Sequence, residues 1–412
     1  MGALLKNYFL LEFPDGVREL AIFALAWSIF MPLQSAMWMV PQAVNVLVVD
    51  RGSLRKSLQF FGGIVCLMTL PLFVIGFTPL GYDFLGTVYE LDEEGLRRVQ
   101  LYLRWFVSFP LLMTTGQFLQ GMMVRAEATG KTTVIEVIRM LGMSLVLWYG
   151  VSRGNDPVAT LIYAQIFADV LAIVLRGVSL WPLRGKWTAV GKVVPSFREI
   201  AAFFLPIAFT TLMFSFGRPI VFGFMTKIDA SNLPEGTSMV AMIAGLNLAW
   251  SFVPLFVNPL NQIRSVFVNY AREDLKGVVV LLKRVMVIIV SVWLLVAWTG
   301  LAGMFFRGLQ GADATTSAIG EVAFRTLIVL PLFMGWRNYY HGLSLTYKKT
   351  RSMGLAALCR VGTIYCTCWM FYELELLSAV TAAVSFGSGF VVETFVSILA
   401  TRKMRREILG EG

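Results

Sequence analysis

Residues 237–264 read TSMVAMIAGLNLAWSFVPLFVNPLNQIR and carry no charged side chain before Arg264. About 20 apolar residues in a helix are enough to cross the ~30 Å hydrocarbon core of a bilayer, so this stretch predicts a membrane-spanning helix. Pro254 and Pro259 remove backbone hydrogen bonds within it. Broken helices of this kind often line the substrate sites of transporters.

Runs of similar length and character recur along the whole chain of 412 residues. The chain is 57% hydrophobic and 15% charged, whereas soluble domains carry roughly 25% charged residues, and its mean hydropathy is +0.71. We therefore predict an all-α integral membrane protein and exclude a soluble enzyme. Eleven spans are predicted, near residues 17–48, 58–79, 100–124, 132–152, 157–181, 198–224, 237–264, 280–306, 319–345, 353–372 and 376–400.

The basic residues concentrate in every second loop. Clusters of Lys and Arg follow the first, third, fifth, seventh and ninth spans and form the tail, whereas the intervening loops are acidic or poorer in Lys and Arg. Because basic loops stay on the cytoplasmic side, this pattern predicts a multi-pass protein of the cytoplasmic (inner) membrane with a cytoplasmic C-terminus. The net charge of +10 is therefore explained by basic loops that orient the helices in the lipid bilayer. A nucleic acid is not predicted as a partner.

The chain contains an internal repeat. Leu25-Ala26-Trp27-Ser28 returns as Leu248-Ala249-Trp250-Ser251, at a shift of 223 in the numbering. A second region, given below, repeats at nearly the same shift. The two regions together indicate two homologous helical bundles in the same orientation, as in transporters that bind substrate between parallel repeats. The predicted bundles are residues 1–185 and 186–412. At a shift of 221, Pro110, Leu111, Met113, Gly121, Thr129 and Arg139 match Pro331, Leu332, Met334, Gly342, Thr350 and Arg360.

The repeat also predicts a difference between the two bundles. The span at 198–224 would have its counterpart at or before residue 2, so we expect five helices followed by six, a six-plus-six design that lacks its first helix. Eleven spans would leave the N-terminus outside. Two explanations stay open, a start that lies upstream or the loss of this helix.

Several stretches are distinctive in their order and spacing: Gly217-Arg218-Pro219-Ile220-Val221; Ile263-Arg264-Ser265-Val266; Arg337 with Gly342 and Thr346-Tyr347-Lys348-Lys349-Thr350; and Gly389-Phe390-Val391 with Glu393. Together they resemble the progressive ankylosis (ANK) family of the multidrug/oligosaccharidyl-lipid/polysaccharide exporter (MOP) superfamily over residues 198–405. The first half of the chain is similar more loosely. The resemblance implies a MATE-like twelve-helix fold, with a first helix that this chain lacks, and efflux of pyrophosphate, a nucleotide triphosphate or a citrate-like anion.

Arg337 is the leading candidate for contact with such an anion. It lies within the predicted span 319–345, where an ionisable side chain is costly and for that reason a candidate for function. A guanidinium group offers a fork of donors that matches carboxylate or phosphate oxygens. The alternative is a structural pair in which a carboxylate and Arg337 tie two helices together.

Two other arginines and three neutral side chains could contribute to the same site. Arg218 lies about 9 Å from the outer end of its span, at 1.5 Å per residue, so snorkelling to the interface is an equally good explanation. Arg264 lies at the cytoplasmic end of its helix, where an anchoring role is the simpler explanation. The neutral donors that could line the cavity are Gln117, Asn258 and Gln262.

Two carboxylates and the single histidine could take part in binding a coupled proton or cation, or in ion pairs with buried arginines. Asp169 and Glu393 lie in the last span of each bundle, and pairing with a buried arginine is favoured because a free carboxylate would repel an anion. His341 follows Arg337 by four positions and lies on the same helix face. It could act as a proton sensor or as a polar packing residue. Glu136 and Arg139 are predicted to form a local ion pair.

No enzymatic motif, metal site or cofactor site is predicted, because the sequence has no phosphate-binding loop, nucleophile elbow or metal-spaced His/Cys cluster. Transport would then depend on gradients or on the membrane potential. The functional prediction is a monomeric exporter of a small multivalent anion that works by rocking of its two bundles. The alternatives are a flippase for a lipid-linked sugar and a non-transporting membrane scaffold.

Overall fold

A computed structural model describes residues 2–187, 194–229, 231, 233, 236–260, 274–346 and 351–409. This part of the chain consists of helices and their connections, without a β-strand, so the predicted all-α fold is confirmed. The helices are α1 Gly2–Leu11, α2 Gly16–Gln34, α3 Val40–Leu47, α4 Arg51–Phe77, α5 Pro79–Val88, α6 Glu93–Phe106, α7 Phe109–Arg125, α8 Thr129–Ser152, α9 Pro157–Leu180, α10 Phe197–Ser215, α11 Gly217–Met225, α12 Met239–Phe252, α13 Leu275–Trp298, α14 Leu301–Met304, α15 Ala314–Thr326, α16 Val329–Thr346, α17 Arg351–Glu373 and α18 Ala379–Leu409.

Nine helical stretches within these described ranges are long and apolar enough to cross a membrane. A tenth results when α15 and α16, which meet at an angle of 41°, are counted as one bent span. These ten stretches overlap ten of the eleven predicted spans. Membrane-spanning potential is a local property of the sequence, which is why hydropathy alone locates it so well.

The remaining predicted span, at 100–124, is divided between two helices. Helix α6 ends at Phe106 and α7 begins at Phe109, with Pro110 in the first turn, where its missing N–H has no helical partner to lose. Helix α6 also carries charged residues such as Glu93 and Arg97 along its length. A continuous span was therefore the wrong description of this region.

Residues 237–260 form the broken helix that Pro254 and Pro259 predict. The Ser238 side chain caps α12 by accepting a hydrogen bond from the backbone N–H of Ala241. Helix α12 ends at Phe252, and residues 254–260 are helical again after a turn. Asn338 of α16 donates a hydrogen bond of 3.0 Å to the carbonyl of Leu260, which ties the second segment to α16.

The chain packs into two compact units. Unit 1 comprises residues 1–14 and 25–215, and unit 2 comprises residues 15–24 and 216–412. The predicted bundle boundary between residues 185 and 186 remains a prediction about the repeat, because a packing unit and a sequence repeat can end at different places.

Side-chain contacts reproduce the repeat within each unit. In unit 1, the Nε atom of Arg104 donates a hydrogen bond of 2.6 Å to the carbonyl of Gly76, at the end of α4. In unit 2, the Nε atom of Arg325 donates one of 2.7 Å to the carbonyl of Ala297, at the end of α13. The shift of 221 found in the sequence relates both donors and both acceptors. Each arginine thus satisfies a carbonyl that a helix end leaves without an intrahelical donor.

The short helix α1 packs in unit 1 as α11 does in unit 2. Helix α1 contacts α8 and α9, and α11 contacts their repeat counterparts α17 and α18. A Cβ atom added at Gly2 would approach Met143, and one added at Gly217 would approach Ile364, which is the counterpart of Met143 at a shift of 221. The first bundle therefore has a short helix at the place that α11 takes in the second. Its register differs, since the shift of 221 does not relate Gly2 to Gly217.

Candidate functional site

Glu393 lies at the centre of a buried cluster in unit 2, which we call the Glu393 cluster (Arg337, His341, Arg360 and Glu393). Its Oε2 atom lies 2.6 Å from Nη1 of Arg360 in α17 and 2.8 Å from Nε of Arg337 in α16. His341 places Nε2 at 3.9 Å from Glu393 Oε1 and at 3.4 Å from the hydroxyl of Ser397. Arg337 and His341 share a helix face, as predicted. One carboxylate thus links α18 to two neighbouring helices.

The position of this cluster makes its ion pairs energetically important. The Glu393 side chain is fully buried, and those of Arg360 and Arg337 are only 1% and 7% exposed. Arg360 also lies over the ring of Phe390, 5.2 Å from its centroid. Removing one partner of a buried pair leaves a charge without compensation and typically costs about 3–5 kcal/mol. Loss of any one charged group of this cluster would therefore destabilise the packing of α16, α17 and α18.

These contacts are the ones that the structural interpretation of Arg337 predicts. The guanidinium is paired with Glu393 and almost closed to solvent. A contact between Arg337 and a transported anion would require this pair to open, and it remains a prediction. The pairing role predicted for Glu393 agrees with the geometry.

Unit 1 contains a related group of charges, which we call the Asp169 cluster (Glu136, Arg139, Gln165, Asp169 and Arg176). Arg139 in α8 lies 3.3 Å from Asp169 in α9 and 2.9 Å from Glu136, so both pairs predicted for these carboxylates are present. Gln165 donates a hydrogen bond of 2.7 Å to Asp169, and Arg176 pairs with Glu136. Helices α8 and α9 are therefore joined as α17 and α18 are in unit 2.

The second arginine of the Asp169 cluster comes from a different helix than its counterpart. A shift of 221 places Arg337 on Gly116 in α7. The Nη1 atom of Arg176, from α9, donates a hydrogen bond of 2.9 Å to the Gly116 carbonyl, and a Cβ atom at Gly116 would lie 3.0 Å from it. Arg176 thus uses space that a larger residue would fill. Sequence reasoning overlooked Arg176, although an arginine within an apolar helix was the available signal.

Arg218 lies in unit 2 in a different environment from the clustered arginines. Its Cζ atom is 5.1 Å from the centroid of the Trp250 indole, and its Nη2 atom is 3.4 Å from the Trp250 carbonyl oxygen. Within the described ranges, no carboxylate lies within 4 Å of this guanidinium. The side chain is partly buried, at the start of α11. It is a cation within a candidate membrane span that the chain described here does not neutralise.

The remaining predicted site residues are less informative. Gln117 is partly buried in α7 of unit 1, and Asn258 is exposed in unit 2. Gln262 and Arg264 lie outside the described residues. In the ranges that the structure covers, no group of three His, Cys, Asp or Glu residues is arranged to hold a metal ion.

Solved structures identify the class to which this fold belongs. An inward-facing multidrug resistance MATE family transporter of the MOP superfamily matches with a TM-score of 0.76 at 13% identity, over 100% of this chain and 96% of that one. A MOP superfamily transporter from Pyrococcus furiosus gives 0.65 at 12% identity, over 99% and 92% of the two chains. The lipid II flippase MurJ gives 0.67 at 12% identity, over 97% and 85%. The protein therefore has the fold of these MATE and MOP superfamily transporters.

A sequence family narrows this class. Residues 191–384 match the family model of the progressive ankylosis protein (ANKH). The resemblance predicted from residues such as 217–221 is therefore confirmed across this range. No curated protein sequence matches the chain significantly.

Proposed function

We propose that this protein exports a multivalent anion of the pyrophosphate, nucleotide triphosphate or citrate type by alternating access of its two bundles. The observation that carries the proposal is the environment of Arg218. A guanidinium at membrane depth requires a counter-charge, and the described part of the chain places none within 4 Å. A transported anion supplies that charge. The match of residues 191–384 to the ANKH family supports the same class of substrate.

The stacking of Arg218 on Trp250 suits this role. The Cζ atom of Arg218 lies over the indole ring, 5.1 Å from its centroid, and such cation–π contacts contribute about 0.5–2 kcal/mol. Among the described residues, the only hydrogen bond of the Arg218 guanidinium is the long one of 3.4 Å to the Trp250 carbonyl. A planar fork of donors binds phosphate and carboxylate oxygens in pairs. Trp250 would thus orient the arginine, and the anion would complete its contacts.

Further residues can join this site when the transporter changes state. Arg337 would contribute if the anion displaced it from Glu393. Arg264, Asn258, Gln262 and Gln117 are proposed to line the same path.

Export is the direction that the membrane potential favours. We propose that the C-terminus is cytoplasmic and that the protein lies in the cytoplasmic membrane as a monomer. With the interior negative, the potential contributes ~2.3 kcal/mol per charge per 100 mV, which is about 4.6 kcal/mol for a divalent anion leaving the cell. With a driving free energy of this size, export does not need hydrolysis of a nucleotide.

The test is flux from liposomes that contain purified protein and labelled pyrophosphate, ATP or citrate. We expect flux of at least one of these anions in the wild type and a loss of more than tenfold in Arg218→Gln, since a charge-assisted hydrogen bond contributes about 1.5–3 kcal/mol. Arg153→Gln is the matched control, because Arg153 is exposed and lies over a tyrosine ring at 5.6 Å.

Two outcomes would contradict this assignment. Normal flux in Arg218→Gln would remove Arg218 from the anion path. If instead Arg218 holds a lipid phosphate by snorkelling, the substitution would weaken membrane insertion and thermal stability but leave the KM for the anion unchanged.

A lipid-linked sugar flippase is the second candidate function, and one observation in unit 1 favours it. Helices α8 and α9 line an open apolar groove of about 420 Å³, which suits an acyl chain. Its lining residues are Ile138, Leu141, Gly142, Leu145, Val146, Tyr149, Phe167 and Leu171. Movement of a fluorescent lipid-linked sugar in the same liposomes, without flux of any of the three anions, would establish this alternative. The absence of both activities would favour a scaffold.

A further inference from the structure

The break of the helix after α12 and the Arg218 guanidinium meet at Trp250 in unit 2. In a continuous helix the N–H of residue 254 would donate to the Trp250 carbonyl, but Pro254 has no N–H. The Nη2 atom of Arg218 lies 3.4 Å from this carbonyl oxygen, and its Cζ atom lies 5.1 Å from the centroid of the Trp250 ring. A proline thus frees a backbone acceptor at the residue whose side chain contacts the arginine.

The indole N–H of Trp250 is a further polar group at this place. Trp250 is 2% exposed, and its Nε1 atom has no hydrogen-bond acceptor among the described residues. The ring contacts Phe222 and Phe386, with centroids 5.1 and 5.0 Å away, and neither of these side chains offers an oxygen. The N–H of a buried tryptophan usually has a partner, because a buried donor without one costs free energy. This donor therefore calls for an acceptor, as the Arg218 guanidinium does.

We infer that the indole N–H of Trp250 donates a hydrogen bond to the transported anion, together with the Arg218 guanidinium. This inference rests on the proposed function and specifies how its site recognises the substrate. The indole N–H and the guanidinium are donors only, and they are close enough for one oxyanion to reach both. The group that they recognise has unprotonated oxygens for both donors, as an ionised phosphate or carboxylate has. An organic ammonium ion has only donors to offer and would not be bound.

Burial of the indole links this contact to the change of state. Trp250 is closed to solvent, whereas Arg218 is only partly buried. Alternating access opens the binding residues of a transporter in one state and closes them in another. A ligand favours the state that it contacts better, and the anion gains the indole donor only where Trp250 is open to it. The hydrogen bond would therefore favour that state as well as tighten binding.

A role of Trp250 in packing alone is the alternative, and a second tryptophan of unit 2 provides the control for it. The Nε1 atom of Trp293 in α13 also has no acceptor among the described residues. In the same part of the chain its ring contacts aromatic rings rather than a cation, with Phe324 stacked on it at 4.3 Å. If only the ring of Trp250 matters, through its packing and its contact with Arg218, then loss of the N–H changes transport at neither tryptophan.

The experiment exchanges Trp250 for benzothienylalanine by site-specific incorporation, which replaces the N–H with sulfur and keeps the shape and the π face of the ring. Initial rates of flux are measured in liposomes with labelled pyrophosphate, ATP and citrate. For the anion that the wild type carries fastest, we expect the KM to rise about tenfold or more, the size of one hydrogen bond to a charged group. The same exchange at Trp293 should leave this KM unchanged.

Thermal unfolding in detergent gives a readout that a packing role would not move in the same way. The exchange at Trp250 removes a buried donor without an acceptor, so the Tm without added anion should not fall. The increase in Tm on addition of the anion should become smaller, because one hydrogen bond to it is lost. Unchanged or higher stability together with weaker binding is the signature of a donor that serves the ligand.

The outcomes separate this inference from the proposed function. A KM that the exchange at Trp250 leaves unchanged, with flux that still depends on Arg218, would overturn the indole contact alone. An equal rise in KM for the exchange at Trp293 would also overturn it. Absence of anion flux in the wild type would overturn both proposals. Should the exchanged protein not be obtained, Trp250→Phe and Trp293→Phe make the same comparison, because phenylalanine keeps an aromatic face and removes the N–H.

Discussion

Replacing Glu393 with Gln is expected to lower the stability of the protein. The cause is that the ion pairs of Glu393 are buried, and not that their distances are short. The carboxylate lies 2.6 Å from Arg360 and 2.8 Å from Arg337, and its side chain is fully buried. An amide is nearly the same size, so packing changes little. What changes is that two buried guanidinium groups lose the negative charge between them. A loss of about 3–5 kcal/mol follows for an ion pair broken in the interior.

The chain offers a control with the same distance and opposite burial. Glu93 and Arg97 on α6 also lie 2.6 Å apart, but their side chains are 70% and 71% exposed. Exposed pairs contribute less than about 1 kcal/mol, because water and salt screen the charges. Glu93→Gln should therefore be nearly neutral. The difference between the two variants isolates the effect of burial at constant chemistry and distance.

The assay is thermal unfolding of purified protein in detergent, followed by tryptophan fluorescence and by loss of the monodisperse peak in gel filtration. We expect a clearly lower Tm for Glu393→Gln and a Tm close to that of the wild type for Glu93→Gln. Replacing Arg360 with Met as well should recover part of the loss, because one uncompensated charge is then removed. Equal Tm values for Glu393→Gln and Glu93→Gln would refute the reasoning.

Two further predictions concern close packing and the repeat. Gly121→Ala should lower stability by about 1–3 kcal/mol, because its Cβ atom would lie 2.8 Å from the Pro41 carbonyl oxygen; Gly63→Ala, with open space around it, should be neutral or slightly stabilising, and thermal unfolding of both variants tests this pair. Arg325→Met should also lower the Tm, by the equivalent of about 1–3 kcal/mol, because it removes the donor to the Ala297 carbonyl. A Tm equal to that of the wild type would show that this carbonyl needs no side-chain donor.

The membrane-spanning segments and the repeat could be read from the sequence because both depend on local composition and on register. Ten of the eleven spans predicted from hydropathy overlap stretches that are long and apolar enough to cross a membrane. The shift of 221 found in the sequence also relates the contacts of Arg104 and Arg325. The break at Phe106 escaped prediction, since a window of average hydropathy does not register where a helix ends.

The candidate site was predictable only in part. Sequence reasoning identified Arg337, Arg218 and Glu393 as costly charges in apolar helices, but a charge in a helix has the same sequence signature whether it is paired or awaits a ligand. Arg337 in α16 finds its partner on α18, beyond the whole of α17, and the guanidinium that uses the space at Gly116 comes from Arg176, two helices further along the chain. Only folding brings such residues within hydrogen-bonding distance.

Sequence alone was enough to establish a helical membrane protein with two related halves, because a bilayer demands long apolar helices and a duplicated bundle keeps its register. Which arginines pair with a carboxylate, and that Arg218 has none within 4 Å among the described residues, emerged only from the folded chain. The fold also showed that α1 packs in unit 1 as α11 does in unit 2. Lys6 of α1 thereby contacts the ring of Trp27. Burial and pairing are properties of neighbours in space, and the energy of a charge in a membrane depends on those neighbours far more than on its position in the chain.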